Sequence, residues 1–394
     1  MWSKPGATLA TLFSLVLPTA LAIVLLVVRF ETEGALRKGA GHFDMIVGAK
    51  GGAMQLVLSS FYHLGMPAGN ILYSDYQELA KDERIVQAVP IGLGDNYDGY
   101  RIVGTEAHLF EVKGRDEEVL LKISEGRSFG ADTFEAVIGA QVASKTGLKI
   151  GDTFNGTHGL IQVAGAEVHT DFTYQVSGVL EPTGNSYDRA IYVPISAVWK
   201  VHHAEDSIHQ VFQSQAPMLK EVTAVLVQLE SAGLRLWMVD ELKKKANLMP
   251  AVPINEILSL SQIYLEPFQK LLFLVTGGVI MVSCVVILLS LYQSVERRRP
   301  SLLVLRSLGA KRQELALMLF YEVFLLVCIG VLGGALVGHS IVKSLAKIVY
   351  DRTGLILDAW AIVPGEVVTL GSISLLLFIL GSFPIVSLYK RSSL

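Results

Sequence analysis

The chain has 394 residues, of which 51% are hydrophobic and 18% charged, with a net charge of -3 and a mean hydropathy of +0.47. That is too apolar for a soluble globular chain and too charged for a polytopic protein with short loops, so bilayer spans must coexist with a soluble domain. Cys284 and Cys328 are the only cysteines, and both fall in apolar runs, which excludes a disulfide-stapled domain.

In chain order, the first apolar run covers 8–28. It is long enough to cross about 30 Å of hydrocarbon at about 1.5 Å per residue. It lacks a convincing small-residue cleavage site, so we expect it to be retained as a span rather than removed as a signal peptide. From about residue 29 to 267 the pattern changes to short alternating runs separated by turn residues. Residues 135–139, 173–180 and 190–194 read as strands, whereas 74–81, 140–147 and 231–246 read as helices. The segment is therefore an α+β domain of about 240 residues, large enough to fold on its own core. A β-rich part at about 105–211 and a second part built from the two flanks are expected within it.

Three further spans are expected at 268–292, 315–342 and 367–388, giving four in all, with the α+β domain inserted between the first and second. Lys and Arg set the orientation. The segment after the second span carries Arg297, Arg298, Arg299, Arg306, Lys311 and Arg312, and the tail carries Lys390 and Arg391. Both segments, and the N-terminus with Lys4, are therefore placed in the cytoplasm and the α+β domain outside. The basic residues cluster where topology accounts for them, and no nucleic-acid partner is expected.

The segment 300–309 predicts a short amphipathic helix with Pro300 in its first turn and Gly309 as its C-cap. A positive-inside anchor explains the charges but not the apolar stretch of Leu302, Leu303, Val304 and Leu305, so docking on a cytoplasmic partner is the preferred reading. In the third span Gly330, Gly334 and Gly338 fall on one face at four-residue spacing. Small residues in such a row let helix backbones approach closely, either within a protomer or across a dimer. Glu322 in the same span is costly in lipid and is expected to face protein, water or the interface.

His158, His169, His202, His203 and His209, with Glu205 and Asp206 among the last three, are candidate ligands for a transition metal, zinc first. A solvated polar loop is the plainer reading, since no HExxH motif or cysteine pair defines a first shell. No Gly-x-x-x-x-Gly-Lys-Ser/Thr phosphate loop occurs, and Gly48-Ala49-Lys50-Gly51-Gly52 lacks its spacing and its hydroxyl. The chain is accordingly not expected to be an enzyme.

The run Leu305-Arg306-Ser307-Leu308-Gly309-Ala310, followed by Glu322 and a glycine-rich third span, resembles the FtsX/MacB-like permease family of ABC transporters. Gly126-Arg127, Val137-Ile138-Gly139, Gly147-Leu148-Lys149-Ile150-Gly151-Asp152 and Val176-Ser177-Gly178-Val179 resemble that family's periplasmic core domain. Where members often carry Glu-Ile after the arginines, this chain has Pro300-Ser301.

The resemblance implies three parts: 1–30 with the first span, 31–266 as a MacB-like core domain, and 267–394 as an FtsX-like permease domain. It implies a bacterial inner-membrane permease that works as a homodimer with a separately encoded ATPase, which would hold the ATP and Mg. Arg299, Leu302, Leu303, Leu305, Arg306, Leu308 and Gly309 would be the coupling residues. The output would be mechanical: export or extraction of a periplasmic lipoprotein, peptide or small molecule, with a periplasmic adaptor or substrate-binding protein as a further partner. A signalling device acting on a periplasmic enzyme, and a zinc-linked transporter, are the alternatives.

Overall fold

The computed structural model describes residues 5–114, 117–160, 168–209 and 220–390. The chain opens with α1 (Pro5–Ala40), β1 (Met45–Ala49), α2 (Ala53–Ser60), β2 (Ile71–Leu72), α3 (Tyr73–Leu79), β3 (Ile85–Tyr97) and β4 (Tyr100–Thr105). It continues with β5 (Ile123–Gly126), β6 (Glu135–Ile138), α4 (Ala140–Thr146), β7 (Thr153–His158), β8 (Val168–Leu180), β9 (Ala190–Pro194) and α5 (Ile195–His209). Then come β10 (Glu221–Val222), β11 (Ala224–Leu229), α6 (Arg235–Lys243), β12 (Leu248–Ala251) and α7 (Pro253–Leu260). The last elements are α8 (Glu266–Ser307), α9 (Arg312–Thr353) and α10 (Glu366–Lys390).

Two compact units result. One holds residues 1–33, 263–348 and 357–394; the other holds 34–262 together with 349–356. Among the described residues, four helical stretches are long and apolar enough to cross a membrane, each mostly within the first unit: Leu9–Ala35, Pro253–Ser290, Gln313–Thr353 and Glu366–Phe383. The fold is the expected one, four apolar helices with an α+β domain between the first and second.

One expected element is corrected. Residues 300–307 are not a separate short helix but the last turns of α8, which runs unbroken through Pro300. Proline is favoured at a helix start, which is why the sequence suggested one there. Inside a helix it costs about 3 kcal/mol, because it has no N–H for the carbonyl four residues back. A helix with more than thirty residues already formed ahead of the proline can absorb that loss.

The mixed unit is organised on a ten-stranded sheet, whose main path runs β12-β1-β11-β3-β4-β9-β6-β8-β5, with β7 pairing to β3 and β8. Most pairs are antiparallel, but β4–β9 and β6–β8 are parallel. β3 is 13 residues long, so its first half pairs with β11 and its second half with β4 and β7. The flank strands and the central strands thereby share one sheet.

Phe61, Tyr187, Phe110 and Tyr192 are buried in one core cluster, where Phe61 meets Tyr187 and Phe110 meets Tyr192 edge to face. Residues 349–356 complete this unit. Gln141 Nε2 donates to the Tyr350 carbonyl at 2.7 Å, Lys145 pairs with Asp351 at 2.7 Å, and Ile356 N–H donates to the Gly184 carbonyl at 3.2 Å.

The glycines of the motif runs sit where backbones nearly touch. Gly126 pairs with Gly178 across β5 and β8, and a Cβ on Gly178 would lie 2.6 Å from the Arg127 carbonyl oxygen. A Cβ on Gly139 would lie 2.7 Å from the Tyr187 carbonyl oxygen. Both distances are too short for any side chain.

Beyond α2, His63 takes a positive φ of 57° and its two ring nitrogens are enclosed, although the residue as a whole is only half-buried. Burial, and then the positive charges of Arg101 and Arg189, push its imidazole down to about 3. The folded state therefore keeps His63 neutral, while the unfolded chain protonates it below about 6.5. Between those values the unfolded state binds more protons, so stability falls as pH falls, by up to about 1.4 kcal/mol per pH unit from this group. His63→Asn keeps a side chain tolerant of positive φ and removes the titration. Its melting temperature should drop less than that of the wild type between pH 7 and pH 5; equal drops would mean that the ring is already open to solvent.

Candidate functional site

The turn between α8 and α9 is built from the sequence run singled out above. α8 ends in a Schellman arrangement: Ala310 N–H donates to the Leu305 carbonyl at 3.1 Å and Gly309 N–H to the Arg306 carbonyl at 3.0 Å. Gly309 has φ +100°, a conformation only glycine adopts readily, so its place in the motif is a backbone requirement. On the far side Glu314 accepts from its own helix start, Lys311 N–H to Oε2 at 2.9 Å. The acidic side chain also complements the positive end of the α9 dipole.

This compact turn leaves Val304, Leu305 and Leu308 exposed, Leu308 at 79%, while Arg306 is half-buried. Val304 and Leu308 are one helical turn apart, which makes a small apolar patch at the tip. The side chains of Arg299, Leu302 and Leu303 lie outside the described residues.

Gly330, Gly334 and Gly338 face α1. Cβ atoms built on them would meet Leu15 Cδ1 at 2.8 Å, Thr19 Cβ at 2.5 Å and Ile23 Cβ at 2.8 Å. Both rows advance four residues at a time in the same direction, so α1 and α9 run parallel, as first and third spans must. Thr19 is fully buried at this seam and donates to the Leu15 carbonyl at 2.8 Å, which removes the penalty for its hydroxyl. Thr11 and Ser290 hydroxyls lie 2.7 Å apart and tie α1 to α8.

Glu322 is half-buried in α9. A second polar pair in the helical unit carried no sequence signal. Buried His339 donates from Nδ1 to the Ala359 carbonyl at 2.7 Å and bonds Glu366 through Nε2 at 3.0 Å, with Trp360 stacked on its ring. Glu366 also accepts from Val363 N–H at 3.2 Å. His339 thus ties the 359–366 segment to α9, beside the packing of Val342 with Ala359 and Val363.

The histidines of the mixed unit divide. His158, His169 and His202 gather around Asp95, which no sequence pattern singled out. Asp95 and His158 are register partners on β3 and β7. His169 on β8 bonds Asp95 Oδ1 through Nε2 at 3.1 Å. Asp95 Oδ1 also lies 3.5 Å from His202 Nε2 and 3.9 Å from His158 Nδ1.

α5 can bring its ring this close because β3 has glycine at 94, where a Cβ would lie 3.0 Å from His202 Cε1. The adjacent turn is pinned by Asn96, whose Nδ2 donates to the Gly159 carbonyl at 2.7 Å. His203 is exposed and is not among the ligand-type atoms gathered at Asp95, and the side chain of His209 lies outside the described residues. Asp95 escaped notice because aspartate is depleted in strands, and its run, Gly92-Leu93-Gly94-Asp95-Asn96, breaks the alternation that marks one. A buried acid inside a strand was the only available signal.

Comparison with known proteins adds the following. The family model for the MacB-like periplasmic core domain matches residues 8–233, and that for the FtsX-like permease C-terminal region matches 273–394. A search of curated proteins gives no significant match. Among solved structures, the periplasmic region of MacB from Actinobacillus actinomycetemcomitans is similar at 15% identity and a TM-score of 0.35, over 57% of this chain and 95% of that one. The extracellular domain of the noncanonic ABC-type transporter YknZ from Gram-positive bacteria is similar at 15% identity and a TM-score of 0.31, over 52% and 98%.

Proposed function

Because the chain belongs to the MacB-like family, with a MacB-like periplasmic core domain followed by an FtsX-like permease region, it is an ABC transporter permease subunit, and we propose that it works as a transmitter of force. A separate ATPase binds and hydrolyses ATP with Mg. The turn at 305–310 receives its movement, and the periplasmic domain delivers that movement to a periplasmic substrate, a lipoprotein, peptide or small molecule. The protein acts as a homodimer in the bacterial inner membrane, with both termini and the 305–310 turn in the cytoplasm. A periplasmic adaptor or substrate-binding protein completes the path.

One observation supports this reading above others: two unbroken helices of 42 residues each, α8 and α9, leave the same tightly capped turn. At about 1.5 Å per residue each is about 63 Å long. A hydrogen-bonded helix of that length carries a displacement at one end along its axis with little loss. Leu305 and Leu308, exposed on the turn, are the side chains an ATPase groove would take up, and Arg306 supplies a cation beside them.

The test is the ATPase activity of the permease and its partner ATPase, co-purified in lipid nanodiscs, with Leu305→Asp and Arg306→Glu. Each variant should cut permease-dependent activity at least tenfold or abolish co-purification, since a buried unpaired charge at an interface costs about 2 kcal/mol or more. Full assembly and unchanged activity in both variants would reduce the turn to a topogenic anchor. Normal ATP turnover with no substrate displaced would instead direct attention to a periplasmic enzyme or binding protein as the target of the movement.

A further inference from the structure

The coupling role assigned to the 305–310 turn does not use the group around Asp95, which sets a buried carboxylate among three imidazoles. Asp95 is 1% exposed, yet its Oδ2 finds no hydrogen-bond partner among the described residues. A buried carboxylate with one idle oxygen is expensive unless a cation stands by. Neither lysine nor arginine is paired with it among the described residues; the groups in reach are imidazoles.

Asp95, His158 and His202 each present one ligand-type atom, and the three atoms lie within 4.8 Å of one another. Zinc at about 2.0–2.1 Å from nitrogen and oxygen donors in a tetrahedron needs ligand atoms about 3.3–3.4 Å apart. The 3.5 Å separation from Asp95 Oδ1 to His202 is close to that spacing, and the 3.9 Å separation to His158 exceeds it by about half an ångström, within reach of a rotation of the exposed His158 side chain.

We propose that Asp95 Oδ1, His158 Nδ1 and His202 Nε2 bind one divalent transition-metal ion of the zinc class. His169 is a positioning residue: its Nε2–H donates to Asp95 Oδ1 and fixes the carboxylate, the kind of outer-shell bond that metal-binding carboxylates and histidines regularly make. The donor set, two imidazoles and a carboxylate, suits zinc, copper or nickel and disfavours magnesium and calcium, which take oxygen-rich shells.

Three protein ligands leave the fourth position to water or to a donor atom from a bound molecule. His158 is the most exposed ligand, at 56% of its side chain, so that position is accessible from solvent. The ion would fasten β3, β7 and α5 together at one point, with Gly94 supplying the space for the His202 ring. The inference is independent of the coupling role assigned to the 305–310 turn.

The experiment uses the full chain in nanodiscs, purified through a tag free of histidine, stripped with a chelator and reloaded with zinc or cobalt(II). Zinc retained after dialysis is measured by elemental mass spectrometry, and cobalt coordination by its visible d–d absorption. The wild type should keep about one zinc per chain and give the intense spectrum of a four-coordinate cobalt site. His158→Ala and His202→Ala should each weaken binding at least a hundredfold and lose the cobalt spectrum, and His169→Ala should weaken it about 10–100-fold.

His203→Ala, on the same helix but outside the group at Asp95, should change neither readout. His158 is exposed enough that its replacement leaves the core untouched, which near-ultraviolet circular dichroism would verify. A wild type that retains no zinc, or His158→Ala and His202→Ala variants that retain it in full, would overturn the assignment.

Discussion

Gly334→Leu should destabilise the helical unit by about 3 kcal/mol or more and remove most of the folded protein from a membrane extract. The added Cβ alone would stand 2.5 Å from Thr19 Cβ and 2.9 Å from the Val16 carbonyl oxygen, and the second of these is backbone that cannot rotate away. Overpacking a close-packed site usually costs about 1–3 kcal/mol when neighbours can shift. Here both walls are helices, and the seam continues at Gly330 and Gly338, so relief at one step worsens the fit at the next.

Small-residue rows hold spans together through close backbone approach, with no hydrophobic drive from lipid to compensate its loss. A Cβ added at Gly278, in α8, meets nothing within 4 Å, so Gly278→Leu serves as the control. Thermal melting of both variants in nanodiscs reads the difference; equal stability would mean that α1 does not pack on the α9 glycines.

The second large effect belongs to the mixed unit. Gly126→Ala combines two faults. φ at this position is +80°, which costs an L-residue about 1–2 kcal/mol, and the new Cβ would collide with the Ser177 carbonyl oxygen and stand 3.0 Å from Gly178 Cα. Together these should cost about 3 kcal/mol or more, spread β5 from β8 and lower the melting temperature sharply. Gly147→Ala separates the two causes. Its φ is +77°, but nothing lies within 4 Å of the added carbon, so only about 1 kcal/mol should be lost. Equal losses in the two variants would assign the whole effect to backbone conformation and none to strand contact.

The spans were legible because an uncharged apolar run of about twenty residues matches the thickness of the hydrocarbon layer and exceeds what a core helix of a soluble domain needs. Strands β6 and β9 were legible from alternation bounded by turn residues. β3 was not, because Gly92, Gly94 and Asn96 interrupt the pattern that its 13 residues would otherwise show. One of these interruptions, Gly94, makes room for the His202 ring, so the site helped to conceal its own strand.

The glycine row in α9 announced a seam but not its occupant: four-residue spacing defines a face and says nothing about which helix covers it. Pro300 misled for a physical reason, since the residue most favoured at a helix start is also one that a long helix can tolerate within it. Of the five histidines, sequence proximity pointed to 202, 203 and 209, whereas strand register set His158 opposite Asp95, and His169 from β8 and His202 from α5 reach the same carboxylate. Register is a property of pairing, and no local pattern announces it.

The place of residues 349–356 has a consequence for biosynthesis. During translation the chain through Gln262 emerges well before the octapeptide that completes its domain, and two further apolar helices, α8 and most of α9, are made in between. Until Tyr350 and Asp351 arrive, the Gln141 amide and the Lys145 ammonium lack the acceptors they bond in the finished protein, and the Gly184 carbonyl lacks its donor. At about 5–20 residues per second this interval lasts several seconds. The domain is thus assembled from chain made on both sides of two apolar helices, and its last hydrogen bonds close only after the third hydrophobic helix has left the ribosome.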